Sequence, residues 1–241
     1  MRLVILMLFL FTSCGSTQQI IGSSSIEKEG DYLAEFKQQL ELKWPNNKTR
    51  NVVFHGHSVP SGYFKTPVVN TLAAYPHLFL KFLKENYPTA VINSITTAIG
   101  GEQSEQGAKR FKTDVLSLKP DLIFIDYALN DRGIGLERAE ASWRSMIERA
   151  LSAKVKVVLL TPTPDLKEDI LDEKAKLAGY VKMIIKLGKE YQIPVVDVYS
   201  QFKALKSSGV DLSTHMSQGN HPNELGHQVV LSEIVKSLFK K

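Results

Sequence analysis

Several features are scarce in this sequence, and each scarcity excludes a class of protein. There is one cysteine among 241 residues, so no intramolecular disulfide can form. The longest apolar run, Leu3–Phe11, is shorter than the roughly 20 residues that a membrane-spanning helix needs. The formal net charge is +5, but the lysines and arginines are scattered and form no basic stripe with aromatic residues between them. We therefore expect no nucleic-acid partner.

The first residues of the chain have the pattern of a signal peptide. Arg2 precedes the apolar run, and Thr12, Ser13 and Cys14 follow it. Small residues directly before a cysteine resemble the lipobox of bacterial lipoproteins, although Phe11 stands where leucine is usual. We expect residues 1–13 to be a signal peptide and Cys14 to be lipidated, which would anchor the protein in a membrane of the bacterial cell envelope. The alternative is ordinary secretion, with Cys14 removed or left as a free thiol.

The remaining chain divides at about residue 30. Residues 14–30 are largely polar and serine-rich and show no periodicity, which predicts a flexible tether. Residues 31–241 show no second change of composition and no internal repeat. A length of about 210 residues suits one α/β domain with a substantial core.

Apolar strand-like runs alternate with helix-like periodic stretches through the whole of residues 31–241. This alternation predicts a parallel sheet with helices on both faces. The predicted strands are 52–54, 90–94, 122–126, 155–160 and 195–198, and the predicted helices are 31–43, 75–86, 104–118, 136–152, 169–190 and 225–238. In such a sheet, ligands bind beyond the carboxyl ends of the strands, so the loops after the strands are where functional residues are expected.

Two short motifs supply a candidate nucleophile and a candidate base. Ser58 follows the first predicted strand in the segment Gly56-His57-Ser58, and His221 precedes the last helix in the segment His221-Pro222-Asn223. A neutral imidazole can take the proton of a serine hydroxyl when the fold brings the two within hydrogen-bond distance. Loops after the second and third strands add possible oxyanion donors: the N–H of Gly101 and the side-chain amide of Asn130, which would join the N–H of Ser58.

In this order, the motifs resemble the four blocks of the SGNH or GDSL hydrolase family. Ser58, Gly101, Asn130 and His221 occupy the positions of the family's nucleophile, two oxyanion donors and base. The resemblance implies a flavodoxin-like three-layer α/β/α sandwich with a five-stranded parallel sheet. It also implies ester hydrolysis without a metal or an organic cofactor.

The sequence departs from the family pattern at three places. His57 stands where the family has aspartate, and Ala128-Leu129 stands where glycine is usual before Asn-Asp. The family's acid lies three residues before the catalytic histidine, and here that residue is Gln218, which brings no charge. Main-chain carbonyls near Gln218, or Asp211 from the preceding loop, could orient His221 in its place.

The sequence therefore predicts a serine esterase that works through an acyl-serine intermediate and deacetylates a carbohydrate. A lipase or lysophospholipase is the alternative substrate class, although no long apolar lid segment is visible. A glycan-binding module that lost turnover with the acid at position 218 is the alternative of another class. Although His55, His57, His221 and His227, four of the six histidines, lie in or near the two motifs, no spacing of ligands matches a known metal site, so no metal is expected.

Overall fold

A computed structural model describes residues 31–239. The predicted signal peptide 1–13, the lipidation of Cys14 and the tether 14–30 lie outside the described residues and stay predictions. Among the helices described here, none is long and apolar enough to cross a membrane.

Five parallel strands form the central sheet, in the order β2-β1-β3-β4-β5. The strands of this sheet end at one edge, which places the loops carrying Ser58, Gly101 and Asn130 at that edge. Their bounds are β1 Arg50–Gly56, β2 Ile92–Thr96, β3 Leu122–Asp126, β4 Lys156–Leu160 and β5 Val195–Val196. All five residues of β3 are buried, as expected for a central strand that is covered on both faces.

Nine helices are described around the sheet, two of them a single turn long: α1 Ala34–Glu41, α2 Ser58–Ser61, α3 Tyr75–Asn86, α4 Ser104–Arg110, α5 Ala128–Asp131, α6 Leu136–Ser152, α7 Lys176–Tyr191, α8 Val198–Ser207 and α9 Glu224–Leu238. Alternate strand residues contribute to two apolar cores. Phe54 and Phe124 pack with α1, α3, α8 and α9, whereas Val53 and Ile123 pack with α4, α6 and α7. This arrangement is the three-layer α/β/α sandwich that the sequence predicted.

Several element boundaries differ from the prediction. The second strand begins at Ile92 rather than at residue 90, and the helix predicted over 169–190 begins only at Lys176. The helix predicted over 104–118 is regular only as far as Arg110 and continues as a wider turn over Phe111–Val115. Helix α8 was missed because residues 195–198 were predicted as strand; Asp197 ends β5 early by accepting a hydrogen bond from the Ser200 N–H at 3.1 Å, which caps α8.

A small second sheet lies between α8 and α9. Its strands, β6 Met216–Gln218 and β7 His221–Pro222, are antiparallel, and β7 contacts α2 at the end of β1. The hairpin thereby returns the end of the chain to the carboxyl edge of the main sheet.

Candidate active site

Ser58 lies at a sharp turn where β1 passes into α2. A Cβ atom at position 56 would overlap the carbonyl oxygen of Asp126, so only glycine allows the close approach of the two strand ends. The Nδ1 atom of His57 accepts a hydrogen bond from the Val59 N–H at 3.2 Å and caps the helix. Ser58 is thus fixed at the first position of α2, with 5% of its surface exposed.

The structure brings His221 directly to Ser58. The distance from His221 Nε2 to Ser58 Oγ is 3.0 Å, although 163 residues separate the two along the chain. Asn223 caps α9 by accepting a hydrogen bond from the Gly226 N–H at 3.2 Å, which fixes the chain just after His221. Serine and imidazole are therefore within range for proton transfer.

The other ring nitrogen of His221 faces two neutral groups. Its Nδ1 atom lies 2.8 Å from the main-chain carbonyl oxygen of Phe64 and 2.8 Å from Nε2 of Gln218. The side-chain oxygen of Gln218 accepts a hydrogen bond from the Thr66 N–H at 3.1 Å. We call His221, Phe64 and Gln218 the histidine side of the site.

The prediction that Asp211 could orient His221 was wrong. Asp211 is exposed and caps the turn over Leu212–His215, where its two carboxylate oxygens accept hydrogen bonds from the N–H and the hydroxyl of Ser213 at 3.0 and 2.7 Å. The carboxylate is thus engaged in its own turn. Gln218, the other candidate, does contact the imidazole.

Burial lowers the pKa of His221 below its ordinary value of 6.5. The hydrogen bond to the Phe64 carbonyl acts in the opposite direction, and the nearby His57 lowers the pKa further. The neutral imidazole, which is the form that can accept a proton, is therefore present at neutral pH.

Gly101 and Asn130, the predicted oxyanion donors, define what we call the oxyanion side of the site. Gly101 has a φ of +79°, a conformation that favours glycine, and neither its N–H nor that of Ser58 donates to another described residue. The amide nitrogen of Asn130 donates one hydrogen to the main-chain carbonyl of Glu102 at 3.0 Å, and this bond leaves its second hydrogen available. These three donors come from the loops that follow β1, β2 and β3.

A buried network of charged and polar side chains supports the loop that carries Gly101, which we call the oxyanion loop. The Glu102 carboxylate accepts hydrogen bonds from the Tyr127 hydroxyl at 2.7 Å and from two nitrogens of Arg110. The Tyr127 hydroxyl lies 3.1 Å from Nε2 of His55, a fully buried residue whose pKa desolvation lowers to about 3. Arg110 also donates to the carbonyl of Thr97 at 2.6 Å. The loop carrying Gly101 is thus tied to β1, β3 and α4.

Asp131, beside Asn130, fixes the third loop. Its carboxylate accepts hydrogen bonds from the Ser104 N–H at 2.7 Å and from the Trp143 indole at 2.8 Å. Its carbonyl accepts from the Tyr180 hydroxyl at 2.9 Å. Burial raises the pKa of Asp131, and the hydrogen bonds partly offset that effect. The Asn-Asp pair therefore divides its roles: Asn130 donates to the loop that carries Gly101, and Asp131 anchors its turn.

The remaining histidines of the two motifs have structural partners. Nε2 of His57 lies 3.4 Å from the buried carboxylate of Asp126, and Nδ1 of His227 accepts a hydrogen bond from the Tyr75 N–H at 3.2 Å. Within residues 31–239, no group of three His, Cys, Asp or Glu side chains is arranged to hold a metal ion.

Sequence reasoning missed two parts of the site. The Phe64 carbonyl is a main-chain group, so no residue type in the sequence marks it. Glu102, in contrast, directly follows Gly101 within the second family block, and an acid next to the predicted oxyanion glycine was a signal that could have been used.

Residues 54–229 match the model of the GDSL-like lipase/acylhydrolase family. The match covers most of the chain and includes all four predicted site residues. The protein belongs to this family, and with it to the carboxylic ester hydrolases. No curated protein matches the chain significantly.

Solved structures of carbohydrate esterases share the fold. A two-domain esterase (CEX) active on acetylated mannans matches with a TM-score of 0.71 and 20% identity over 86% of this chain. The match covers 52% of that esterase, so the chain spans about half of its length. Axe2, an acetylxylan esterase from Geobacillus stearothermophilus, matches with a TM-score of 0.70 and 18% identity over 80% of this chain and 95% of its own.

Proposed function

We propose that this esterase acts through Ser58 as nucleophile and His221 as general base. The 3.0 Å distance between Ser58 Oγ and His221 Nε2 is the observation that carries the proposal. As the Oγ–carbon bond forms, the hydroxyl proton passes to Nε2 and the carbonyl oxygen becomes an oxyanion. The N–H groups of Ser58 and Gly101 and the amide of Asn130 would hold that charge.

Collapse of the oxyanion breaks the bond to the alcohol oxygen, which leaves with the proton from His221. The acyl group then remains on Ser58. Water attacks this acyl-serine, gives its proton to His221, and a second collapse returns the proton to Ser58 Oγ while the carboxylic acid departs. Every group in this cycle belongs to the described chain, the ester or water.

We propose an acetylated carbohydrate as the substrate. The ring of Tyr63 lies against Gly100: a Cβ atom added to Gly100 would sit 3.1 Å from two carbons of the Tyr63 ring. The centroid of the Tyr63 ring is 6.0 Å from that of the His221 ring. Tyr63 thus connects the oxyanion loop to the histidine and narrows the space beside Ser58, which favours a small acyl group. The acetylated mannans and acetylxylan of the structural neighbours agree with this choice.

A lipid ester is the second candidate, and exposed apolar side chains favour it. Val68 and Leu72, after β1, are 56% and 69% exposed, and Ile99 and Leu166, after β2 and β4, are about half exposed. The Leu166 N–H donates to the Gly219 carbonyl at 2.7 Å, so this loop adjoins the hairpin that carries His221. Such side chains could contact an acyl chain.

The deciding experiment measures hydrolysis of p-nitrophenyl esters from acetate to palmitate, together with acetate release from acetylated xylan and mannan oligosaccharides. We expect kcat/KM to be highest for acetate and both glycans to be deacetylated. A preference for esters of eight or more carbons would instead assign a lipid substrate. Ser58→Ala serves as the control for turnover. If the wild-type protein bound the glycans without hydrolysing them, it would be a binding module.

We also propose that Cys14 carries a lipid and anchors the protein in the bacterial cell envelope. Metabolic labelling with an alkyne fatty acid should mark the wild type and spare Cys14→Ser. Equal labelling of both proteins, or of neither, would contradict the anchor.

A further inference from the structure

The two neighbours of His221 Nδ1 make opposite demands on it. The Phe64 carbonyl can only accept a hydrogen bond, so a bond at 2.8 Å requires a proton on Nδ1. The Gln218 amide nitrogen, also at 2.8 Å, can only donate, so it requires a bare Nδ1. One ring nitrogen cannot meet both demands at once.

The orientation of the Gln218 amide follows from its second contact. The Thr66 N–H donates to its oxygen at 3.1 Å, and turning the amide over would set an amide nitrogen against that N–H. The NH2 group of Gln218 therefore faces Nδ1 in the resting arrangement.

Each demand selects a different neutral imidazole. A proton on Nδ1 leaves Nε2 bare, ready to accept the proton of Ser58 at 3.0 Å. A proton on Nε2 instead makes the imidazole a donor to Ser58 Oγ, and in that form it cannot act as the base. The hydrogen-bond partner of Nδ1 therefore determines the fraction of enzyme molecules in which His221 can act as the base.

We propose that the main-chain carbonyl of Phe64 positions His221 in its active form, and that Gln218 opposes it by donating to Nδ1. This inference rests on the proposed role of His221 as base. Gln218, at the position of the family's acid, is then a positioning residue with a negative effect. Its replacement is expected to raise activity rather than to abolish it.

The charged and titratable groups around His221 leave Phe64 as its main support. His57 lies behind Ser58 and His227 lies on α9, and both are buried histidines rather than carboxylates. The buried acid Asp126 lies 3.4 Å from Nε2 of His57. The ring of His227 stacks on that of Phe64 with 5.5 Å between centroids, which helps to hold the carbonyl in place.

Two substitutions of nearly the same size test the proposal. In Gln218→Glu, one carboxylate oxygen can keep the Thr66 N–H while the other accepts from Nδ1. We expect kcat to rise, by up to the roughly 10⁴-fold that separates a triad carboxylate from its amide. The acidic limb of the kcat/KM profile should also move up by about one to three pH units. An unchanged profile would overturn the proposal.

Gln218→Met removes the competing donor without adding an acceptor. The Thr66 bond is exposed, so water can replace its lost partner. We expect kcat to rise above that of the wild type, with KM nearly unchanged. An unchanged or lower kcat, in protein with wild-type melting, would show that Gln218 does not oppose the active imidazole and would overturn the proposal.

Imidazole ¹⁵N NMR near pH 8 shows, without any substrate, which ring nitrogen of His221 carries the proton. The measurement can be made on the wild type alone if a variant does not fold. We expect the proton of His221 on Nδ1, in a larger share in Gln218→Met than in the wild type. A proton on Nε2 in both proteins would refute the role of Phe64. If His221→Ala retained full activity while the NMR result held, the proposed function would fail and the positioning of the ring would stand.

Discussion

The oxyanion side and the histidine side of the site are held by different kinds of interaction. On the oxyanion side, the Glu102 carboxylate binds Arg110 and Tyr127 in the interior, and the Asp131 carboxylate fixes the neighbouring loop. On the histidine side, His221 is held by a main-chain carbonyl and an amide, without a carboxylate in contact with Nδ1 among the described residues.

The two sides therefore differ in charge: carboxylates support the oxyanion side, whereas neutral groups contact the imidazole on the histidine side. The proposed oxyanion donors are fixed by buried carboxylates, so they would need little rearrangement when charge develops on the substrate. In the proposed mechanism, the imidazolium that forms during attack would receive no opposite charge, and only the dipole of a carbonyl would stabilise it. The two sides meet at Ser58, which contacts His221 and contributes one oxyanion donor.

The largest expected effect comes from substituting Ser58 or His221, which are in contact where the two sides of the site meet. Ser58→Ala and His221→Ala should each lower kcat by about 10⁴- to 10⁶-fold, and the double variant should lose no more than either alone, because the two residues act as a unit. The measurement is hydrolysis of p-nitrophenyl acetate by the three variants. Independent, multiplying losses would mean that the histidine works apart from Ser58.

Removing the charge beneath the oxyanion side should affect stability. Glu102→Ala leaves Arg110, largely buried, without its carboxylate, and we expect the free energy of unfolding to fall by about 3–5 kcal/mol. Glu105→Ala is the matched control, since Glu105 pairs with Arg138 at the surface. Urea unfolding of both variants makes the comparison, and equal losses would show that the buried network is not special.

Removing an oxyanion donor should reduce turnover without weakening binding. Asn130→Ala is expected to lower kcat by about 10²- to 10³-fold with little change in KM, because the amide acts on charge that exists only in the transition state. Asn130→Asp keeps the shape but places an acceptor there, so it should be at least as impaired. Near-normal kcat in the aspartate variant would exclude Asn130 from the oxyanion site.

The oxyanion side was easier to predict from the sequence than its support. Ser58, Gly101, Asn130 and His221 could be proposed from the sequence because each belongs to a short local block. Arg110 and Tyr127 could not be, since their partnership with Glu102 exists only after the fold brings α4 beside the segment that follows β3. Phe64 was beyond reach for another reason: a main-chain carbonyl carries no residue identity, and its position depends on the fold of the loop after α2.

The smallest expected effect is on the pH dependence of stability, and one buried histidine from each side of the site tests it. Desolvation lowers the pKa of His55, under the oxyanion side, and of His227, against Phe64, to about 3 in the folded protein, whereas both approach 6.5 on unfolding. Below pH 6.5 the unfolded chain binds protons that the folded chain does not. Stability present above pH 6.5 is therefore lost as pH falls, by about 1.4 kcal/mol per pH unit for each residue.

His55→Gln and His227→Gln should each reduce this slope by about 1.4 kcal/mol per pH unit between pH 6 and 5, whatever their effect on stability at pH 8. Urea unfolding at intervals of half a pH unit measures it. A variant that keeps the full slope would show that its histidine becomes protonated inside the fold. For His227 that result would be the more serious, because a charge stacked on Phe64 would disturb the carbonyl on which His221 depends.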